Sequence, residues 1–159
     1  MDFIPYNSRL GYHKSPFGAV CEGEKVTFRI VLPRSICCTG ASLVINPDEG
    51  KPDVYPMVWE RMEGRDEEWW SVSFTPEKQG LYWYHFAIAQ KNGGNVITRF
   101  DGSTGRISPD GKSFQLTVYS KDFTTPDWIK GSVIYQIFPD RFRNSGEKKY
   151  GIPTDRVMR

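Results

Sequence analysis

Between residues 17 and 119, apolar and polar residues alternate in short runs, and clusters of Gly, Pro, Asn and Asp separate the runs. A period of two sends successive side chains to opposite faces of a strand. Many short runs of this kind, punctuated by turn residues, predict an all-β antiparallel sandwich. The expected strands cover 17–20, 25–32, 41–45, 54–62, 68–74, 81–89, 96–100 and 113–119. No stretch before residue 121 repeats apolar residues at helical spacing, so few helices are expected there.

Parity within two runs predicts the core. Trp70, Val72 and Phe74 share one face, opposite Trp69, Ser71 and Ser73. Tyr82, Tyr84, Phe86 and Ile88 oppose Leu81, Trp83, His85, Ala87 and Ala89. The aromatic-rich set of each run is expected to face inward. The intervening Thr75-Pro76-Glu77-Lys78-Gln79-Gly80 reads as a tight turn, because Pro fixes φ and Gly allows positive φ, so the two runs are expected to form a hairpin. With Phe74 opposite Tyr82, Trp69 and Trp83 emerge on one outer face with His85 between them. Planar rings there could stack on sugars, with His85 bonding a hydroxyl, or could pack against another domain or subunit. The packing reading outweighs the sugar one, since exposed aromatic patches more often mark interfaces. Trp59 shares parity with Tyr55 and Met57 and is expected in the core. Asn92-Gly93-Gly94-Asn95 reads as a second hairpin turn, and 102–112 as an irregular loop. Neither is expected to cradle phosphate, because no helix follows.

The 159 residues suit one domain plus a tail. With 21 Lys and Arg against 19 Asp and Glu, and no strongly basic window, nucleic acid is not an expected partner. No apolar stretch approaches the roughly 20 residues that span a bilayer. The start, Met1-Asp2-Phe3-Ile4-Pro5, lacks a basic segment followed by an apolar one; this points to the cytoplasm, or outside the cell if a leader has been removed. Cys21, Cys37 and Cys38 fit neither a disulfide framework nor a zinc site and read as reduced thiols.

Past Tyr119 the pattern changes. Residues 121–131 are polar and contain Pro126, as a linker does, and Trp128 at its end is expected to staple two domains. Ser132-Val133-Ile134-Tyr135-Gln136-Ile137-Phe138 is almost continuously apolar, which predicts a strand buried on both faces of a parallel sheet. Residues 139–159 read as a long loop.

The string Tyr135-Gln136-Ile137-Phe138-Pro139-Asp140-Arg141-Phe142, with Pro126 to Ile134 before it, resembles the entry into the catalytic (β/α)8 barrel of alpha-amylase family glycoside hydrolases, family 13, especially the neopullulanase and cyclomaltodextrinase-like members. Ser15 to Val20 and Gly80 to Tyr84 resemble the first strand and late hairpin of the immunoglobulin-like, starch-binding-type sandwich that often precedes that barrel. The resemblance implies a sandwich over 1–120, a linker over 121–131 and the truncated start of a barrel over 132–159. It further implies the N-terminal domain of a starch- or maltodextrin-degrading hydrolase, supporting substrate positioning or subunit assembly. A free-standing module for α-glucans is the alternative. The paired carboxylates of such chemistry belong to later barrel strands, so no catalytic residue is assigned, and Asp140 is expected to be structural. Many relatives contribute to a calcium site with Asn-Gly-Asp where this chain has Asn144-Ser145-Gly146-Glu147, so no metal or cofactor is expected. Candidate sugar contacts are Trp69, Trp83 and His85. Expected partners are α-glucan oligosaccharides, the missing barrel and a second copy of the chain through 132–138.

Overall fold

The computed structural model describes residues 3–91, 93–138 and 146, and the chain divides into two units, Met1–Phe123 and Thr124–Arg159. The first is built from β1 Lys14–Ser15, β2 Val20–Cys21, β3 Val26–Pro33, β4 Cys38–Pro47, β5 Asp53–Pro56, β6 Val58–Glu63, β7 Glu67–Phe74, β8 Gly80–Gln90, β9 Gly93–Asp101, β10 Thr104–Ile107 and β11 Phe114–Tyr119. The all-β expectation holds. One sheet runs β1-β3-β7-β6; the other runs β10-β9-β8-β11-β2, with β4 and then β5 on the far edge of β8. Pairings are antiparallel except that of β2 with β11.

β8 is the centre of the larger sheet. Along one edge it pairs with β4 from Tyr82 to Gln90. Along the other it pairs with β11 as far as Tyr84 and with β9 from Phe86 onward. Beyond Ile97, β9 leaves β8 and continues against β10, with one further bridge from Arg99 to Lys112. The segment 102–112, expected as irregular loop, therefore contains a strand. Its glycines hid it: a Cβ on Gly105 would come within 2.9 Å of an Ile97 methyl, so this glycine permits close approach and breaks no strand.

Three further expectations are corrected. β7 and β8 do not form a hairpin, because β7 pairs with β3 and β6 in the smaller sheet. Two strands that each carry an aromatic-rich inner face bury more by lying in opposed layers than side by side. Phe74 and Tyr82 still meet, edge to face at 5.8 Å, across the core. The expected strand 54–62 is cut at buried Met57, where the chain passes from β5 in one sheet to β6 in the other. The changed frame, with a bulge between Trp59 and Arg61, leaves Trp59 on an edge strand and 51% exposed, outside the core.

The other inward faces are those expected from parity. Phe28, Ile30 and Leu32 of β3 are buried against Leu43 and Ile45 of β4, Tyr84 and Phe86 of β8, and Phe114 and Leu116 of β11; Trp70 and Val72 pack at the margin. Tyr6 joins them from the N-terminal segment, fully buried. Its ring lies 4.7 Å from Phe86 and 4.9 Å from Phe114, and its hydroxyl shares a 2.8 Å hydrogen bond with that of Tyr84. Burial raises the pKa of both phenols above the ordinary value, so both stay neutral.

In the second unit, Asp127–Ile129 makes a short 3-10 turn. The Lys130 ammonium lies 2.6 Å from the Asp127 carboxylate, and the Ser132 hydroxyl donates to the Trp128 carbonyl at 2.7 Å. Trp128, read as a staple, is 78% exposed. The expected barrel strand is not formed: residues 132–138 contain no strand, and Val133, Ile134 and Tyr135 are exposed. A strand exists only as a member of a ladder, and the buried neighbours this run implies are not among the described residues. Asp140 and the stretch 143–147, apart from Gly146, lie outside the described residues.

The paired phenols yield a stability test. Tyr6→Phe strands the Tyr84 hydroxyl in an apolar core and is expected to cost about 1–3 kcal/mol. Tyr84→Phe costs a similar amount, but the double change removes donor and acceptor together and costs less than the two singles summed. Urea unfolding of the four proteins measures this; strict additivity would show that the bond carries no coupling.

Candidate functional site

The two tryptophans proposed to share a face lie on different sheets. Trp69 of β7 points out of the smaller sheet yet is only 6% exposed. The N-terminal segment covers it: the His13 ring stacks on it at 5.4 Å, Tyr12 meets it edge to face at 6.0 Å, and the Arg61 guanidinium lies 4.6 Å over the ring. A ring so covered offers no platform to a sugar. Its indole nitrogen, like that of Trp70, is buried without a hydrogen-bond partner.

His13 is itself buried, and its Nδ1 donates to the Arg29 carbonyl at 2.8 Å. Burial lowers its pKa, against an opposing contribution from that hydrogen bond. The neutral ring is therefore the form the fold accommodates.

Trp83 and His85 of β8 do share a face, the outer face of the larger sheet, one side-chain repeat apart. Both are half-buried. Asn46 and Gln115 flank Trp83 in the ladder, and Val44 flanks His85. The Trp83 indole N–H donates to the Asp48 carboxylate, which fixes the ring's orientation. Burial lowers the His85 pKa.

Trp83 borders a depression of about 350 Å³, where β9 has left β8 and β11 has taken its place. Ser8 and Arg9 enter from the N-terminal segment, Arg99 from β9, Ser103 from the following turn and Gln115 from β11. The Ser8 amide donates to the Ser103 carbonyl at 3.0 Å, pinning the segment there. Arg99 makes only long bonds, Nε to the Ser113 carbonyl and Nη1 to the Gly102 carbonyl, each 3.4 Å, and so retains donors. A second depression of about 260 Å³ shares Ser8, Arg9 and Gln115 and adds Lys14, Phe17 and Thr117. Together they form a trough with one indole, several amide, hydroxyl and guanidinium donors, and no carboxylate among its lining residues. Such a surface can stack on a flat apolar ring and bond the polar groups around that ring's edge.

Of the residues expected from sequence, Trp83 lines the trough and His85 lies one repeat away on the same face outside it, while Arg9, Arg99 and Gln115 were not foreseen. These stand on three separate elements, about a hundred residues apart at the extremes, and no local pattern marks them as neighbours.

The first unit is thus an all-β sandwich whose candidate site is an outer-face trough with one half-buried indole and several hydrogen-bond donors. Over 98% of its length the chain is 32% identical to an amylopullulanase of Thermoanaerobacter thermohydrosulfuricus, 11% of which it covers. Over 90% of its length it is 33% identical to the amylopullulanase of Thermoanaerobacterium saccharolyticum, covering 12% of it. Over 25 residues, 16% of this chain and 4% of the relative, it is 68% identical to neopullulanase 2 of Thermoactinomyces vulgaris. Among solved structures, a cyclomaltodextrinase matches 86% of this chain and 23% of its own, with TM-score 0.51 and 19% identity, which shows a shared fold. No family model matches. The chain is therefore similar to a part of each of these amylopullulanases and of a neopullulanase, in keeping with the resemblance carried by its barrel-entry motif. It spans about a tenth of the length of the amylopullulanases it matches.

The buried His13 makes a pH prediction. Because its pKa in the fold is below the unfolded value, the unfolded chain binds more protons at low pH. The stability contributed by the neutral ring is fully present above about pH 6.5, the unfolded value, and declines as pH falls below it. In His13→Asn, whose amide can still donate to the Arg29 carbonyl, that contribution is gone. The urea-midpoint gap between wild type and variant is thus expected to narrow from neutral to mildly acidic pH, with the His85 contribution common to both. A constant gap would overturn the assignment.

Proposed function

We propose that this chain is the N-terminal, non-catalytic module of an α-glucan-degrading glycoside hydrolase of the alpha-amylase family, and that it binds α-glucan oligosaccharides weakly at Trp83. The observation that carries the module reading is coverage: likeness along nearly the whole chain to about a tenth of each amylopullulanase. The relatives' names speak of amylose-type and pullulan substrates, which supports a glucan ligand. Trp83 supplies the half-exposed ring oriented by Asp48, Gln115 and Ser8 supply groups that bond hydroxyls, and His85 lies farther along the same face for a longer chain. Trp69, enclosed by His13, Tyr12 and Arg61, has no part in it.

One stacked ring contributes on the order of 1 kcal/mol, so affinity in the high micromolar to millimolar range is expected. Titrating maltoheptaose against indole fluorescence is expected to show binding that Trp83→Ala abolishes and Trp69→Phe leaves unchanged. The chain alone is expected to release no reducing sugar from starch, pullulan or cyclodextrin, because the paired carboxylates that chemistry needs belong to barrel strands outside it. Binding indifferent to Trp83, or sugar release above a boiled control, would refute the respective half of the proposal.

Association through 132–138 is the second element. Val133, Ile134 and Tyr135 are 92%, 78% and 74% exposed, a run of apolar surface prone to self-pairing. Light scattering at rising concentration is expected to show association that Ile134→Asp suppresses. A monomer throughout would refute it.

A further inference from the structure

We infer that the trough beside Trp83 selects a phosphate monoester carried on, or close to, the stacked sugar. This rests on the proposed glucan reading and narrows it to an anionic glucan. Three cations reach the trough: Arg9, Arg99 and Lys14. A site meant only for neutral hydroxyls would be expected to mix donors and acceptors, as carboxylates and amides do; here no lining residue is acidic. Two carboxylates that act on lining residues have hydrogen-bond partners of their own. Asp48 accepts from the Trp83 indole, and Glu24, the charge that acts on Lys14, accepts the Cys21 amide at 2.9 Å.

The second observation is Lys14, only 3% exposed. Its ammonium donates to the Pro16 carbonyl at 2.9 Å and the Gly18 carbonyl at 2.7 Å. Two of three donors are so used, and the residue borders the trough. Burying an ammonium is costly unless it is bonded on all sides. A phosphate oxygen accepting from it in the trough would complete its shell, while Arg9, which is exposed, and Arg99, with its long bonds, supply planar forks suited to phosphate oxygens. Trp83 then takes the sugar face, and Gln115, opposite it in the ladder, bonds a hydroxyl.

The same chemistry could come from a phosphorylated glucan or from a free phosphate, and the probes separate them. The full chain is titrated with maltoheptaose, with maltoheptaose bearing one phosphate ester, with glucose 6-phosphate and with inorganic phosphate, watching backbone and indole signals by NMR. The phosphorylated oligosaccharide is expected to bind about tenfold more tightly than the neutral one, as charge-assisted bonds warrant, and added salt is expected to erase most of the gain. Arg9→Gln and Arg99→Gln together are expected to remove the advantage of the phosphorylated oligosaccharide, so that the two oligosaccharides bind the variant equally. Near-ultraviolet circular dichroism confirms the fold of the variant.

Equal affinity for the two oligosaccharides overturns the inference and leaves the glucan reading standing. Loss of all oligosaccharide binding, with inorganic phosphate or glucose 6-phosphate still shifting the Arg99 and Gln115 signals in an arginine-dependent way, fails the glucan reading and assigns the anion site to free phosphates. No response to any phosphate overturns the inference outright.

Discussion

One buried hydrogen bond, between the hydroxyls of Tyr6 and Tyr84, anchors the arrangement on which both faces of the molecule depend. A phenol can enter an apolar core only if its hydroxyl finds a partner there, and Tyr84, on the central strand, is the partner that lets Tyr6 do so. With Tyr6 held between Phe86 and Phe114, the residues that follow have little freedom in where they run. Ser8 and Arg9 are laid along the turn after β9, where they wall the trough. Tyr12 and His13 are laid over Trp69. The inserted ring thus helps to place the residues that wall the trough, while His13, hydrogen-bonded to Arg29 of β3, lies over Trp69.

What the sequence disclosed and what it withheld divide along a physical line. Period-two parity is a local property, and it assigned Tyr82, Tyr84, Phe86, Ile88 and Phe74 to the core correctly. Pairing is a property of the whole chain, and parity carries no information about it. The segment 75–80 has the residues of a hairpin turn, yet it leads from one sheet to the other, and the consequence was the loss of the shared surface imagined for Trp69 and Trp83. Trp59 failed for a related reason, since parity cannot be counted through the crossing at Met57. β10 was missed because glycine signals a break and a close approach alike. Trp83 and His85 were legible as outer-face residues; the guanidinium groups that give their surroundings a charge were not, because their proximity is made by tertiary folding alone.

The trough also shows how a sandwich can acquire a site without any loop of unusual length. β9 pairs with β8 only as far as Ile97, and β11 takes over at Tyr84, so two strands share one edge of a third in succession. Where the first departs and the second arrives, the surface is indented, and side chains from the central strand, both neighbours and the N-terminal segment converge on the indentation. The likeness to parts of amylopullulanases and to the cyclomaltodextrinase fold gives this geometry a context, since each of those proteins is several times longer than this chain.

The separation of Tyr6 from Tyr84 along the chain, 78 residues, bears on the order in which the protein is made. A ribosome emits the N-terminal segment first, but the slot that receives it exists only after β8 has emerged and paired with β4, and Phe114 closes the slot later still. Contacts so distant in sequence form slowly and late. The segment around Tyr6, which leaves the ribosome before the sandwich that receives it, is consequently among the last parts of that sandwich to be secured.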